Sequence, residues 1–312
     1  MQIQIGKYSF ICQMKSVASL PDYKGSTIRG GLGQALKQLV CTLSQMACAE
    51  CLLNKRCIYA LFFESDHYFM DKKDARFPVQ PSPYVIEPPL ENKQHYQPGD
   101  FIEFHLMLFG EANAHLPYII YAIDQMGDVG LGKKINGSRG LFYLHTVKQN
   151  NQVIFSHQDR KIQSIPPDIF SIETFASDIN ASQINVTFET PLRFKFNNRL
   201  NTQLPFHILV RAMIRRLTSL FNCYAEGEPR LNYKQLIEDA HKVSITHENL
   251  YWFDWNRYSS RQSQTMTFGG IKGDISYSGD LTPYLPFLTF CETVHVGKQT
   301  SFGLGKLSIK NV

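Results

Sequence analysis

The sequence predicts an α+β protein in which one strand–helix–strand–strand–helix–strand unit is used twice. Three observations predict it. A chain of 312 residues, 43% of them hydrophobic, is long enough for two cores. The same order of elements is read in both parts. The second helix of each part also carries a short repeat. Residues 116–132 are LPYIIYAIDQMGDVGLG and residues 285–305 are LPFLTFCETVHVGKQTSFGLG. In each, Leu-Pro-aromatic opens an apolar helix that ends in a Gly-x-Gly loop before a strand.

Residues 1–15 alternate through Ile3, Ile5, Tyr8, Phe10 and Cys12, a strand with one register break. From Ser26 to Cys41, Ile28, Leu32, Ala35, Leu36, Leu39 and Val40 recur at helical spacing, with Ser26 or Thr27 as the N-cap. Gly30, Gly31 and Gly33 are costly in its first turns, so something must approach that backbone closely. A cysteine-rich segment follows, then a connector from Pro78 to Pro89 too rich in proline for regular structure. Phe101–Phe109 reads as a strand entered by the Pro98-Gly99 turn. Leu116–Met126 reads as a helix, residues 127–140 as a glycine-rich loop and Leu141–Val147 as a strand.

After a polar stretch, residues 150–182, the order begins again. Gln183–Phe196 is a strand pattern. Pro205–Phe221 is a helix with Arg211, Arg215 and Arg216 on a polar face, and Tyr233–Ala240 is a short helix. Val243–Trp255 and Thr265–Tyr277 are strands, Leu281–Glu292 is a helix, and Lys306–Ile309 is the last strand. This is the split βαβ order of a ferredoxin-like domain, taken twice. The first domain spans 1–182, with a cysteine-rich insertion at 41–64 and the proline-rich connector at 78–89. The second spans 183–312, with a glycine-rich loop at 297–305.

Lysine and arginine number 32 against 27 acids, a charge of +5 that permits a polyanionic partner without demanding one. No stretch approaches the roughly 18 apolar residues of a membrane helix. The N-terminus has no charged and apolar leader pattern, so a soluble cytoplasmic protein is expected. Seven cysteines, an odd count without a leader, argue against a disulfide framework. Four of them form C-x6-C-x2-C-x5-C: Cys41, Cys48, Cys51 and Cys57. That spacing lets four thiolates surround one ion, structural zinc by preference, with an iron–sulfur cluster as the alternative and buried free thiols as the plain reading.

The loop Gly297-Lys-Gln-Thr-Ser-Phe-Gly303-Leu-Gly305 is the most informative stretch. Its glycines let amides approach an anion, and Lys298 and Lys306 bracket it with positive charge. A helix precedes it and a strand follows, the reverse of a nucleotide-triphosphate loop. From His295 onward it resembles the C-terminal glycine-rich signature of the CRISPR-associated RAMP endoribonucleases that process repeat RNA. Ser26-x-x-Arg29-Gly30-x-x-Gly33, Cys57-x-Tyr59-x-x-x-Phe63-Glu64, Pro83-x-x-Ile86-Glu87-Pro88 and Tyr96-x-Pro98-Gly99-Asp100 resemble the same family, in order along the chain. The resemblance implies two RRM-like domains and metal-independent cleavage of precursor CRISPR RNA within its repeats. The partners it implies are that RNA and other CRISPR effector subunits. A non-cleaving repeat-binding subunit is the alternative.

Such cleavage uses the RNA's own 2′-hydroxyl as nucleophile and leaves a 2′,3′-cyclic phosphate. It needs a base, an acid and cations around the phosphorane, and no catalytic metal. His295, two residues before the glycine loop, is the expected proton carrier, with Lys298 and Arg29 on the scissile phosphate. Gly297, Ser301, Gly303, Gly305, Lys306, Arg211 and Arg215 are the remaining expected RNA contacts. Relatives often carry a histidine at the start of the first helix, where this chain has Ser26, Thr27 and Arg29. Tyr23, Ser26 or another histidine stand next in line. Fifteen Tyr, 22 Phe and 2 Trp offer stacking surfaces, although Tyr251, Trp252, Phe253 and Trp255 are expected mostly in the core.

Overall fold

The computed structural model describes residues 1–69, 74, 76, 79–172, 181–194, 203–259 and 264–311. The chain divides into two compact units, residues 3–169 and residues 170–312 with 1–2. The division falls at 169/170 rather than 182/183, because Phe170 packs on Phe290, 4.6 Å between ring centroids, within the second core.

In the first unit β1 (Gln2–Met14) leads to α1 (Gly25–Val40) and the short α2 (Ile58–Phe63). Then come β2 (Tyr84–Glu87), β3 (Phe101–Phe109), α3 (Leu116–Val129), β4 (Phe142–Gln149) and β5 (Gln152–Ser156). The strand order is β2-β3-β1-β4-β5 and these neighbouring strands run antiparallel, the ferredoxin-like arrangement with β5 added beside β4. The alternation in β1 buries Tyr8, Phe10, Cys12 and Met14 on one side, while Ile3 and Ile5 are buried on the other.

The connector is not irregular throughout. Tyr84–Glu87 is a fully buried strand paired with β3 in register Tyr84↔Leu108 to Glu87↔His105. It lies at the sheet edge between Pro83 and Pro88, where a proline costs no ladder hydrogen bond. Pro78 lies outside the described residues. The loop expected at 127–140 also differs: α3 continues to Val129, and Leu131–Ile135 pairs with Ser138–Gly140 as a hairpin. The N-cap of α1 is Lys24, not Ser26 or Thr27. Lys24 is fully buried and its ammonium donates to the carbonyls of Asp22 (3.3 Å) and Glu91 (2.9 Å).

The second unit runs β6 (Gln183–Leu192), α4 (Phe206–Tyr224), α5 (Tyr233–Ala240), β7 (Ser244–Ser259), β8 (Gln264–Ser278), α6 (Leu285–Val294) and β9 (Leu307–Asn311). Its antiparallel order, β7-β8-β6-β9, is again ferredoxin-like. The strand expected to reach Phe196 ends at Leu192, and residues 195–196 lie outside the described residues. The repeated Leu-Pro places proline in the first turn of both α3 and α6, where its missing N–H is no loss. Among the described residues no helix is long and apolar enough to cross a membrane.

Candidate nucleic-acid interface

The glycine-rich loop closes the second unit by folding back on the end of β6. Val296 donates to the Gly305 carbonyl (3.0 Å), Lys298 to Arg193 (2.8 Å) and Gly305 to Pro191 (3.1 Å). The Thr190 hydroxyl donates to the Gly303 carbonyl and accepts from the Lys306 amide, both at 2.8 Å. Glycine is required sterically. A Cβ at Gly305 (φ +71°) would lie 1.7 Å from the Val296 oxygen, and one at Gly297 (φ +91°) 2.6 Å from the Arg193 oxygen. The expected amide cradle is therefore corrected at two positions: Gly303 and Gly305 are buried and spend their amides on Thr300 and Pro191. Ser301 is buried as well, in a single 3-10 turn, Thr300–Phe302. Gly297 is half-buried and Lys298 exposed, while Lys306 is held 3.4 Å from the Glu189 carboxylate.

His295 does not present its ring to solvent. It is 0% exposed, and Nδ1 lies 3.1 Å from the Leu304 carbonyl, a donor's distance. Its backbone, φ +60° and ψ 164°, caps α6. The imidazole thus clasps the loop from beneath, a positioning part rather than a group that RNA can reach. Arg216 is also corrected. It is buried, not on the polar face, and donates twice to the Val294 carbonyl (2.8 and 3.2 Å) at the same helix end. Burial lowers its guanidinium to about 10.

Arg211 and Arg215 are exposed, one helical turn apart on α4. One turn before them is His207, whose ring stacks on His241 at the end of α5, 3.7 Å between centroids and 18° between planes. Burial lowers the His207 pKa below the usual imidazole value, and His241 and Arg211 push it the same way. The spacing H-x3-R-x3-R was legible on α4, but the partner histidine on another helix was not.

Arg29 does not stand free toward a phosphate. Its guanidinium lies 5.1 Å above the Phe63 ring, and Phe63 meets Tyr59 (5.3 Å) and Tyr84 (5.7 Å). A Cβ at Gly33 would lie 2.8 Å from the same Phe63 ring. Arg29, Gly33, Tyr59 and Phe63, spread over two sequence motifs, thus make one packed cluster, and the close approach expected at the α1 glycines is the protein's own. Burial, then Glu87, raises the Tyr23 hydroxyl well above its usual range.

Cys41, Cys48, Cys51 and Cys57 are free, half-buried thiols. Burial raises the Cys48 thiol; Lys37 opposes this, and Glu64, Cys57 and Cys41 add to it. The thiols are neighbours in the electrostatic sense. Yet among the described residues no three or more His, Cys, Asp or Glu side chains converge as an ion's ligands.

A surface missed in the sequence is the β7–β8 ribbon. β8 pairs with β6 only up to Ile271, while β7 and β8 stay paired to Ser259 and Gln264. Tyr251 and Phe253 on this ribbon are 50% and 39% exposed rather than in the core. The Lys272 ammonium sits 5.5 Å over the Phe253 ring, and the Trp252 indole donates to Asp254 (2.8 Å). The Trp255 side chain lies outside the described residues.

Two antiparallel βαββαβ units with a glycine-rich loop before the last strand define a tandem ferredoxin-like architecture. A family model for the CRISPR-associated endoribonuclease Cas6 matches residues 186–307, and the AF_1859_N model, an N-terminal domain, matches residues 3–167. The chain belongs to the AF_1859_N family through its first half, and its second half matches the Cas6 endoribonuclease model. No curated protein matches it. Among solved structures it is similar to a chain of the partial Cas6-RT-Cas1–Cas2 complex (TM-score 0.59, 14% identity, 99% of this chain and 46% of that one). It is also similar to the Cas6 (TTHB231) product complex (0.58, 10%, 98% and 100%) and to Thermus thermophilus Cas6 (TTHB231) (0.55, 11%, 99% and 99%). It therefore spans about half of the first of these chains, and 29% of that matched in the full Cas6-RT-Cas1–Cas2 complex. At such identities the likeness is one of fold.

Proposed function

We propose that this chain is an endoribonuclease that cuts precursor CRISPR RNA within its repeats, acting in the cytoplasm on RNA destined for CRISPR effector subunits. The observation that carries the reading is the Cas6 match over residues 186–307, which include the glycine-rich loop and the cations around it. The reaction is attack of the 2′-hydroxyl on the adjacent phosphorus, giving a 2′,3′-cyclic phosphate and a free 5′-hydroxyl. Two proton transfers and local positive charge suffice for it without a metal.

Lys298, Arg211 and Arg215 are exposed cations suited to the RNA backbone. With His295 enclosed, proton transfer falls to an imidazole that RNA can reach. His207 is our assignment, because its surroundings keep it neutral and ready to accept a proton. His241, whose ring stacks 3.7 Å from that of His207, is the candidate for the second proton transfer. An ion on Cys41, Cys48, Cys51 and Cys57 is the one part of the reading that the side-chain arrangement does not carry. Zinc and iron analysis of native protein decides it.

The test is cleavage of a synthetic repeat RNA in the presence of a chelator. Cutting should persist with chelator and stop when the 2′-hydroxyl at the cut is replaced by hydrogen. His207→Ala should slow it about 10²- to 10⁴-fold with little change in RNA affinity. Full activity in His207→Ala removes the assignment. Intact RNA after incubation with wild-type protein removes the function.

A further inference from the structure

The face of the first sheet away from its helices carries a row of rings that the cleavage reading does not use. In β1, Lys7, Ser9, Ile11 and Gln13 alternate with buried residues and point to this side. Gln13 stands opposite Phe101 of β3 and opposite Tyr143 of β4, so the three lie side by side across adjacent strands on one face. Phe101 is 49% exposed. His145, two residues along β4 and exposed, meets Phe101 edge-on at 5.5 Å. His157 follows β5, donates its amide to the His145 carbonyl (2.9 Å) and places its ring 4.7 Å from Tyr143. Four rings, one on β3, two on β4 and one just after β5, form one π surface.

One hydrogen bond and nearby lysines border this surface. The Tyr143 hydroxyl donates to the Gln13 side chain, which fixes the ring. The Lys15 ammonium stands 5.9 Å from the Tyr143 ring centre and 3.3 Å from Asp128. Lys7 and Lys148 lie on the face with Glu103 and the buried Glu87, and Lys15 stands at its end. His105 is engaged with the Ser9 hydroxyl at 2.8 Å. Nδ1 of His157 is buried and has no hydrogen-bond partner.

We propose that Phe101, Tyr143, His145 and His157 form a platform on which unpaired RNA bases stack. Every base has a π face, so such a platform tolerates sequence and selects single strands over duplexes, whose bases are already stacked. Resting on the reading of this chain as an RNA-processing protein, the inference assigns an unpaired part of the substrate to the first unit. The cut itself is assigned to cations and imidazoles of the second.

The test is binding of a single-stranded oligouridylate of about twelve nucleotides, with an RNA duplex of the same length as control. Phe101→Ala and Tyr143→Ala should each weaken single-strand binding about 5- to 150-fold. Duplex binding and the dependence on salt should stay unchanged, because no phosphate contact is removed. Phe101→Trp should retain affinity. In wild-type protein, 4-thiouridine should cross-link to Phe101, Tyr143 or His157, a readout that needs no folded variant. Unchanged oligouridylate binding in both alanine variants overturns the platform, as does equal loss of single-strand and duplex binding. A change of oligomeric state in Phe101→Ala, with RNA binding intact, would instead make the face a contact between copies. Repeat cleavage by wild-type protein without cross-linking at these residues rejects the platform and leaves the cleavage function standing.

Discussion

The two halves solve the same turn with different residues. Both α3 and α6 begin with Leu-Pro and end at a residue of positive φ whose amide bonds back to the fourth residue before it. In the first half that residue is Gly130, at φ +81° and ψ 161°. In the second it is His295, at φ +60° and ψ 164°. This region of backbone is nearly reserved for glycine and costs other residues about 1–3 kcal/mol. The first loop then leaves as an open hairpin, and the second is stitched to Thr190, Pro191 and Arg193. The difference teaches what the histidine is for. Its ring fills and bonds the enclosed loop, a return that glycine cannot supply.

Four measurements sharpen or break this comparison. The largest effect is expected from Gly305→Ala, whose new Cβ meets the Val296 oxygen. It should destabilise the second half by about 3–5 kcal/mol in denaturant unfolding. Gly137→Ala in the first loop meets nothing within 4 Å and should cost only about 1–2 kcal/mol, from its positive φ. Comparable losses would break the contrast. Next, Arg216→Met strips the Val294 carbonyl of both guanidinium bonds and should cost about 2–3 kcal/mol.

His295→Ala keeps the strained backbone and loses the ring, so a cost of about 2 kcal/mol is expected. His295→Gly relieves the strain and should cost less than about 1 kcal/mol. If alanine proves no worse than glycine, strain is not stored there. The smallest effect concerns His207. Burial, and then His241 and Arg211, lower its pKa in the folded protein, so the unfolded chain takes up its proton first. Stability is then complete above the ordinary imidazole range and declines as pH falls through it. His207→Gln should flatten that decline in melting temperature against pH.

The repeat made the architecture legible, because Leu-Pro starts and glycine ends are local signals with local causes. The strand Tyr84–Glu87 escaped notice because prolines on both sides mask it, and its edge position, which makes them harmless, is a tertiary fact. Arg216 was placed on the polar face because neighbouring arginines look alike along a helix, whereas its direction depends on the end of α6. His295 is conspicuous in sequence next to glycines and lysines, yet whether its ring points into solvent or core is decided by Leu304. Tyr251 and Phe253 looked like core residues because a strand pattern does not say which of its residues the fold leaves exposed.

The proline-bracketed edge also bears on how copies of the chain behave when crowded. An open sheet margin invites the margin of another molecule, the first step toward fibres and precipitates. Here that margin is four residues long and buried, and neither flanking proline has an amide hydrogen with which to lengthen the ladder. A second molecule therefore finds no register to continue. The composition that obscured β2 in the sequence is also what guards this edge against aggregation.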